Sequence, residues 1–118
     1  METHRLVLPG DLNQYGFLFG GRLLAWIDEA SWIAASLEYP GKKFVTKAMD
    51  TVVFHHSVKE GSILRIACSL DKVGTTSVTY AVEVFHDANC KDAIFSTKVT
   101  FVCVDNQGNK SALIDSTA

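Results

Sequence analysis

The sequence predicts an α+β fold in which an antiparallel β-sheet wraps around one long α-helix. Two observations carry this. A proline-free apolar segment runs from about residue 22 to 39 and is stopped by Pro40-Gly41; in it Leu23, Leu24, Ile27, Ala30, Ser31, Ala34 and Ala35 recur at helical spacing. Everything after it reads as strands, with turn residues between them. One apolar helix needs an apolar sheet face to cover it, and a sheet curled around it is the economical solution.

Taken in order, Arg5 to Leu8 is a short apolar strand ending at Pro9-Gly10. Asp11 to Gly21 is a loop with three glycines. The helix follows, roughly 25 Å long at about 1.5 Å per residue. Phe44 to Val58 is rich in Val, Thr and Phe. Ile63 to Val73 places Leu64, Ile66, Cys68 and Leu70 on one face, and the next segment does the same with Val78, Tyr80, Val82 and Val84. Ile94 to Val104 closes the set, with Phe95, Val99, Phe101 and Cys103 among its apolar positions. Turns are expected at Lys59-Glu60-Gly61, at Gly74-Thr75 and over Asp87 to Asp92. The chain of 118 residues fits a single domain, 1–118, with 105–118 as a polar C-terminal tail.

Composition narrows the function classes. With 47% hydrophobic and 20% charged residues the chain can build a core. Its 11 Lys+Arg against 13 Asp+Glu leave a net charge of −2, which gives no reason to expect nucleic acid or a membrane surface as the main partner. The cysteines, Cys68, Cys90 and Cys103, are odd in number and lack CxxC spacing. They argue against a disulfide framework and a zinc site, and no metal is expected. The polar start Met1-Glu2-Thr3-His4-Arg5 has no apolar signal core, and no stretch is long enough to span a bilayer, so the cytoplasm is the expected compartment.

The chemistry concentrates in 9-PGDLNQYGFLFGGRLLAWIDEASWIAAS-36, whose skeleton is Asn13, Gly16, Gly20, Gly21 and Asp28. Adjacent glycines at a helix entrance permit unusual backbone conformations and close approach of a ligand. The first N–H groups of a helix lack intrahelical partners and carry the positive end of its dipole. A carbonyl oxygen placed there gains hydrogen bonds that strengthen as it becomes an oxyanion, so Gly20 and Gly21, with Arg22 beside them, are candidate donors. Asp28 flanks the apolar stripe near Leu24, Ser31 and Ala35, while Glu29 points to the wetter side. A carboxylate at the edge of a buried stripe needs a purpose or a partner, and pairing with a neighbouring strand would serve as well as catalysis. Asn13 also has a plain reading, as a loop residue satisfying local backbone.

With these residues in view, the chain resembles the acyl-CoA hydrolase branch of the hotdog-fold thioesterases. The likeness continues through 44-FVTKAMDTVVF-54, 59-KEGSIL-64, 72-KVGTTSVTYAVEVF-85 and 99-VTFVCVDNQG-108, in the family's order. It implies hydrolysis of an acyl-CoA thioester to coenzyme A and a carboxylic acid, without a cofactor, since the coenzyme belongs to the substrate. It implies that Asp28 acts as general base or nucleophile and that Asn13 orients water or polarises the carbonyl. In similar proteins these two residues come from different subunits or repeats. A homo-oligomer with a dimer as its smallest active unit is therefore expected, extending to a tetramer or hexamer.

The resemblance places the nucleotide end of the coenzyme at Lys72, Gly74, Thr75, Thr76 and Ser77, a segment that is otherwise an ordinary glycine hairpin turn. Two departures stand out. Thr75 occupies a position that is often Arg, which removes a bidentate phosphate ligand. His55-His56 replaces a common Lys-Pro pair; the two face opposite sides of a strand and read as strand-end or interface residues rather than ligand contacts. Trp26 and Trp32 read as core or interface packing, with one of them an alternative wall of an acyl tunnel. Two other functions compete. One is a dehydratase or hydratase of acyl thioesters, which needs a histidine that the 13–28 segment lacks. The other is a non-catalytic acyl-CoA-binding domain, which has no need of the acid that Asp28 provides.

Overall fold

A computed structural model describes residues 1–86 and 91–114. Its elements are β1 (Glu2–Leu6), a one-turn 3-10 helix (Pro9–Asp11), α1 (Gly20–Glu38), β2 (Lys43–Met49), β3 (Val53–Phe54), β4 (Ile63–Val73), β5 (Ser77–His86) and β6 (Ala93–Val104). The strands form one antiparallel sheet in the order β1-β4-β5-β6-β2, with β3 pairing separately with β6. β1 and β2 are its edges.

The helix buries Leu23, Trp26, Ile27, Ala30, Ser31, Ala34 and Ala35: of the stripe that helical spacing predicts, Leu24 is only partly buried, and Trp26 joins it. Its three alanines keep the face flat, so the helix can lie close to the sheet. Ser31 is polar yet fully buried, because its Oγ donates to the Ile27 carbonyl at 2.7 Å within the helix. From the sheet, Leu64, Ile66, Val78, Tyr80, Val82, Val84, Phe95, Val99 and Phe101 complete the core. Each large aliphatic side chain buried this way contributes about 1.5–3 kcal/mol. Leu70, expected on the same face as Leu64 and Ile66, is instead exposed, and a bulge follows it between Leu70 and Lys72. Cys68 and Cys103 are free and buried as small hydrophobes, while Cys90 lies outside the described residues.

Several boundaries differ from the sequence reading. The first strand is Glu2–Leu6, not Arg5–Leu8: it pairs with Ala67 through Ile63 of β4, and a ladder partner outweighs local apolarity. The helix begins at Gly20, so both glycines are inside it. The Phe44–Val58 stretch is broken into β2 and β3; beyond Met49 the Asp50 N–H leaves the strand pattern to bond Lys98 O at 2.8 Å. The C-terminal segment, expected as a tail, folds back onto the sheet. Asp105 Oδ1 accepts from the Gln107 and Asn109 N–H groups, both at 2.9 Å, Gly108 takes a positive φ of 84°, and Leu113 is buried in the core. Of the Asp87 to Asp92 turn, residues 87–90 lie outside the described residues, as do residues 115–118 of the tail. Among the described residues no helix is long and apolar enough to cross a membrane.

Candidate functional site

The loop that enters α1 is a small closed hairpin. Leu12 bridges Leu18, the Asn13 N–H donates to Phe17 O at 2.7 Å, and Gly16 takes a positive φ of 86°, where a side chain would be strained. Asn13 closes this hairpin with its side chain: Oδ1 accepts from the Tyr15 N–H at 2.9 Å and the Phe17 N–H at 3.1 Å. The plain reading of Asn13 therefore holds for one end of its amide. The other end, Nδ2, has no partner among the described residues and is left as a pure donor.

Asn13, Gly20, Leu23, Phe54 and the segment 55–58 line a cavity of about 350 Å³ at the N-terminus of α1. The helix tip supplies donors there. Phe19 is the N-cap but has no side chain able to cap, and the N–H groups of Gly20 and Gly21 have no acceptor among the described residues. Arg22 is different: its N–H donates to Phe19 O at 3.0 Å, so it is not a free donor, and its Nε pairs with Asp11 Oδ1 at 3.4 Å.

The two glycines serve closeness, not conformation. Neither has a positive φ, contrary to the expectation of unusual backbone geometry. A Cβ on Gly20 would stand 3.2 Å from Cζ of Phe54, and one on Gly21 would stand 2.8 Å from Cε1 of Phe19. Both positions are tight enough that a ring would have to move. Glycine here lets aromatic rings close over the helix tip while the first amides remain bare.

Asp28 sits farther along α1, half-buried. Its Oδ1 accepts a hydrogen bond from Thr46 Oγ1 on β2 at 2.7 Å, and among the described residues no Lys or Arg pairs with it. Thr46 shares a strand face with the buried Phe44, and a bulge between Thr46 and Ala48 follows at once. Sequence reading missed Thr46 as a site residue; the signal was a hydroxyl two residues beyond a core phenylalanine, facing the helix. Glu29 points away, as expected, and pairs with Arg5.

Within one chain the structure brings Asn13 and Gly20 together but does not place Asp28 on the wall of their cavity. Nor does it place Lys72, Gly74, Thr75, Thr76 or Ser77 there. That segment turns β4 into β5. Its Gly74 N–H bonds Ser77 O at 2.7 Å, while the Thr75 and Thr76 carbonyls accept from the Leu113 and Cys103 N–H groups at 3.0 and 2.7 Å. Lys72, Gly74 and Thr75 are exposed. Neither tryptophan lines the cavity: Trp26 is buried beneath the Arg5 guanidinium, and the half-exposed Trp32 donates from Nε1 to Phe44 O at 3.1 Å. His55 and His56, read as strand-end residues, do line it. The 13–28 segment lacks a histidine, yet the fold carries two to the cavity it opens.

Comparison with known proteins agrees with this geometry. Residues 15–90 match the thioesterase superfamily. An uncharacterised acyl-CoA thioester hydrolase of Zymomonas mobilis is 35% identical over 104 residues, which cover 85% of this chain and 68% of that protein. The chain spans 16% and 63% of the length of two further curated relatives. Among solved structures, the acyl-CoA hydrolase of Staphylococcus aureus, in complex with butyryl coenzyme A and coenzyme A, superposes with a TM-score of 0.82 at 32% identity, covering 95% of this chain and 67% of that one. That hydrolase has also been solved with single alanine replacements of an asparagine, an aspartate and a threonine. The interval between its asparagine and its aspartate equals that from Asn13 to Asp28, and its threonine follows the aspartate one residue sooner than Thr46 follows Asp28. A hexameric hotdog-fold thioesterase of Campylobacter jejuni gives a TM-score of 0.81 at 34% identity, covering 93% of this chain and 86% of that one. A curled antiparallel sheet around one helix, a bare amide pair at the helix tip and these matches lead to one conclusion: the chain belongs to the thioesterase superfamily, on its acyl-CoA hydrolase branch, and has the hotdog fold.

Proposed function

We propose that this chain hydrolyses the thioester of acyl-CoA to coenzyme A and a carboxylic acid, with Gly20, Gly21, Asn13 and Asp28 as the reacting centre. The observation that carries the reading is the donor-only wall at the helix tip. Asn13 and Gly20 line the cavity, and the Gly20 and Gly21 amides at the helix tip have no acceptor among the described residues, so a carbonyl oxygen acquiring charge there would meet donors only. One such preorganised donor is worth about 3–4 kcal/mol of barrier. Thr46 holds Asp28 in one orientation without neutralising it, which suits a carboxylate that must accept a proton from water or attack the carbonyl itself. No cofactor enters this chemistry.

The reading includes assembly. Asp28 is absent from the wall that carries Asn13, so a second protomer is the natural source of the missing carboxylate. The edge strand β2, with Val45 exposed, lies beside the exposed Trp32 and Ile33 region of α1 through the Trp32–Phe44 bond. Pairing two such edges would bury both. The hexameric state of the Campylobacter jejuni protein supports a trimer of such dimers. The β4–β5 turn, Lys72 to Ser77, is the proposed seat of the nucleotide, with hydroxyls in place of the arginine that Thr75 displaces.

Thiol release from acetyl-, butyryl-, hexanoyl- and palmitoyl-CoA tests the reading. Activity is expected on at least one of them, falling at least about 100-fold in Asp28→Ala, the scale of losing a general base. Full activity in that variant would overturn the assignment.

A further inference from the structure

The cavity at the helix tip has two chemically unlike walls. One offers donors only, because Asn13 Oδ1 is already taken by two backbone N–H groups. The other is the segment 55–57, and among the described residues lining the cavity His55 and His56 on it are the only titratable groups. That segment is held in place. The Phe54 ring packs on Phe95 with centroids 5.1 Å apart and abuts Gly20, while the His55 N–H donates to Ile94 O at 2.9 Å. The backbone that carries the imidazoles is thus held beside the helix tip. Between the two walls the lining is apolar, with Phe17, Leu18, Leu23 and Val58.

A thioester whose oxygen sits on the Gly20 amide must keep its sulfur in or beside the same cavity, since both atoms share one carbon. Cleavage leaves a thiolate there. In water a thiolate departs unaided, but between apolar side chains a bare anion is costly. An imidazolium is in general a stronger acid than a thiol, so proton transfer from one to a thiolate runs downhill. Resting on the hydrolase reading above, we propose that the His55–His56 pair is a further catalytic group, one imidazolium donating its proton to the departing sulfur. Water adds its oxygen to the carbonyl carbon and gives one proton to Asp28. The C–S bond breaks with its electron pair going to sulfur, and sulfur takes the imidazolium proton to leave as a thiol. Asp28 then releases its proton to solvent and the imidazole regains one, so protons and electrons balance over a turnover.

The leaving group is the test. His55→Gln/His56→Gln keeps hydrogen-bonding side chains and removes the transferable proton. Its kcat/KM is compared with wild type on butyryl-CoA and on the 4-nitrothiophenyl ester of butyrate, whose acidic thiol needs no proton to leave. The expected result is a loss of about 100-fold with butyryl-CoA, the scale of general acid catalysis, and under about threefold with the aryl thioester. An equal loss on both substrates, or no loss on either, overturns the inference while leaving the hydrolase reading intact. A wild-type protein that releases thiol from neither substrate overturns both. Each position is exposed in the chain, and the single variants His55→Gln and His56→Gln, matched to wild type by thermal melt, carry the same comparison if the double variant melts early.

Discussion

The side-chain amide of Asn13 works at both ends, and substitution can separate them. Oδ1 holds the entry hairpin through Tyr15 and Phe17, while Nδ2 has no partner among the described residues and Asn13 lines the cavity. Asn13→Asp keeps an acceptor oxygen for the two N–H groups and replaces the donor by another acceptor. The expected outcome is an unchanged thermal midpoint with thiol release reduced at least about tenfold, the lower end for a lost oxyanion donor. Asn13→Ala, by contrast, should lower both. Thr46 makes a complementary case. Thr46→Val conserves shape and removes the hydroxyl that aims Asp28. Loss of a hydrogen bond to a charged group, about 1.5 kcal/mol, should cut kcat about tenfold with KM near wild type. An unchanged kcat would mean that Asp28 is positioned by something else.

At the scale of elements, the sheet grips the helix at its C-terminal end by a polar bond as well as by packing. Tyr80 of β5 is buried, and its hydroxyl donates to Glu38 Oε2 in the last turn of α1 at 3.3 Å. Burial first, then the charge of Glu38 and this hydrogen bond, push the phenol well above its ordinary range. The folded state therefore keeps a proton that the unfolded chain gives up. The resulting stability is fully present below the unfolded phenol pKa, about 10, and is lost as pH rises beyond it toward the folded value. Urea midpoints should decline above about pH 10 in wild type and decline less in Tyr80→Phe. An identical decline in both would assign the loss to other groups. The strands themselves were legible because their side chains alternate: Val78, Tyr80, Val82 and Val84 of β5 are all buried as period two requires. The breaks were not legible. Phe44 to Val58 is uniformly β-prone, and only the pairing of β2 and β3 with separate stretches of β6 divides it.

For the whole molecule the decisive issue is whether a site is shared between chains. If Asn13 of one protomer meets Asp28 of its partner, mixing Asn13→Ala with Asp28→Ala protein creates dimers with one doubly damaged and one intact site. After random exchange roughly a quarter of all sites should be intact in a two-fold dimer, and thiol release should recover accordingly. No recovery in verified mixed dimers would place the site within one chain. A gel-filtration mass read beside that experiment distinguishes a dimer from the proposed trimer of dimers.

Chain order alone carried the fold class, the helix, its buried stripe but for Leu24, the strand faces but for Leu70, and the family, because periodicity and a spaced motif are properties of that order. It also marked Asn13, Gly20, Gly21 and Asp28 as the residues to watch. What surrounds them came only with the folded chain. It showed that the glycines serve ring packing rather than backbone strain, that Asn13 spends its oxygen locally, that Thr46 meets Asp28, and that His55 and His56 stand at the helix tip. The Asn13 bonds and the Phe19 ring at Gly21 are local, but Phe54 at Gly20, Thr46 at Asp28 and the two histidines at the helix tip join segments distant in the chain. Pattern along a sequence records which face a residue presents, and the curl of the sheet decides what that face meets.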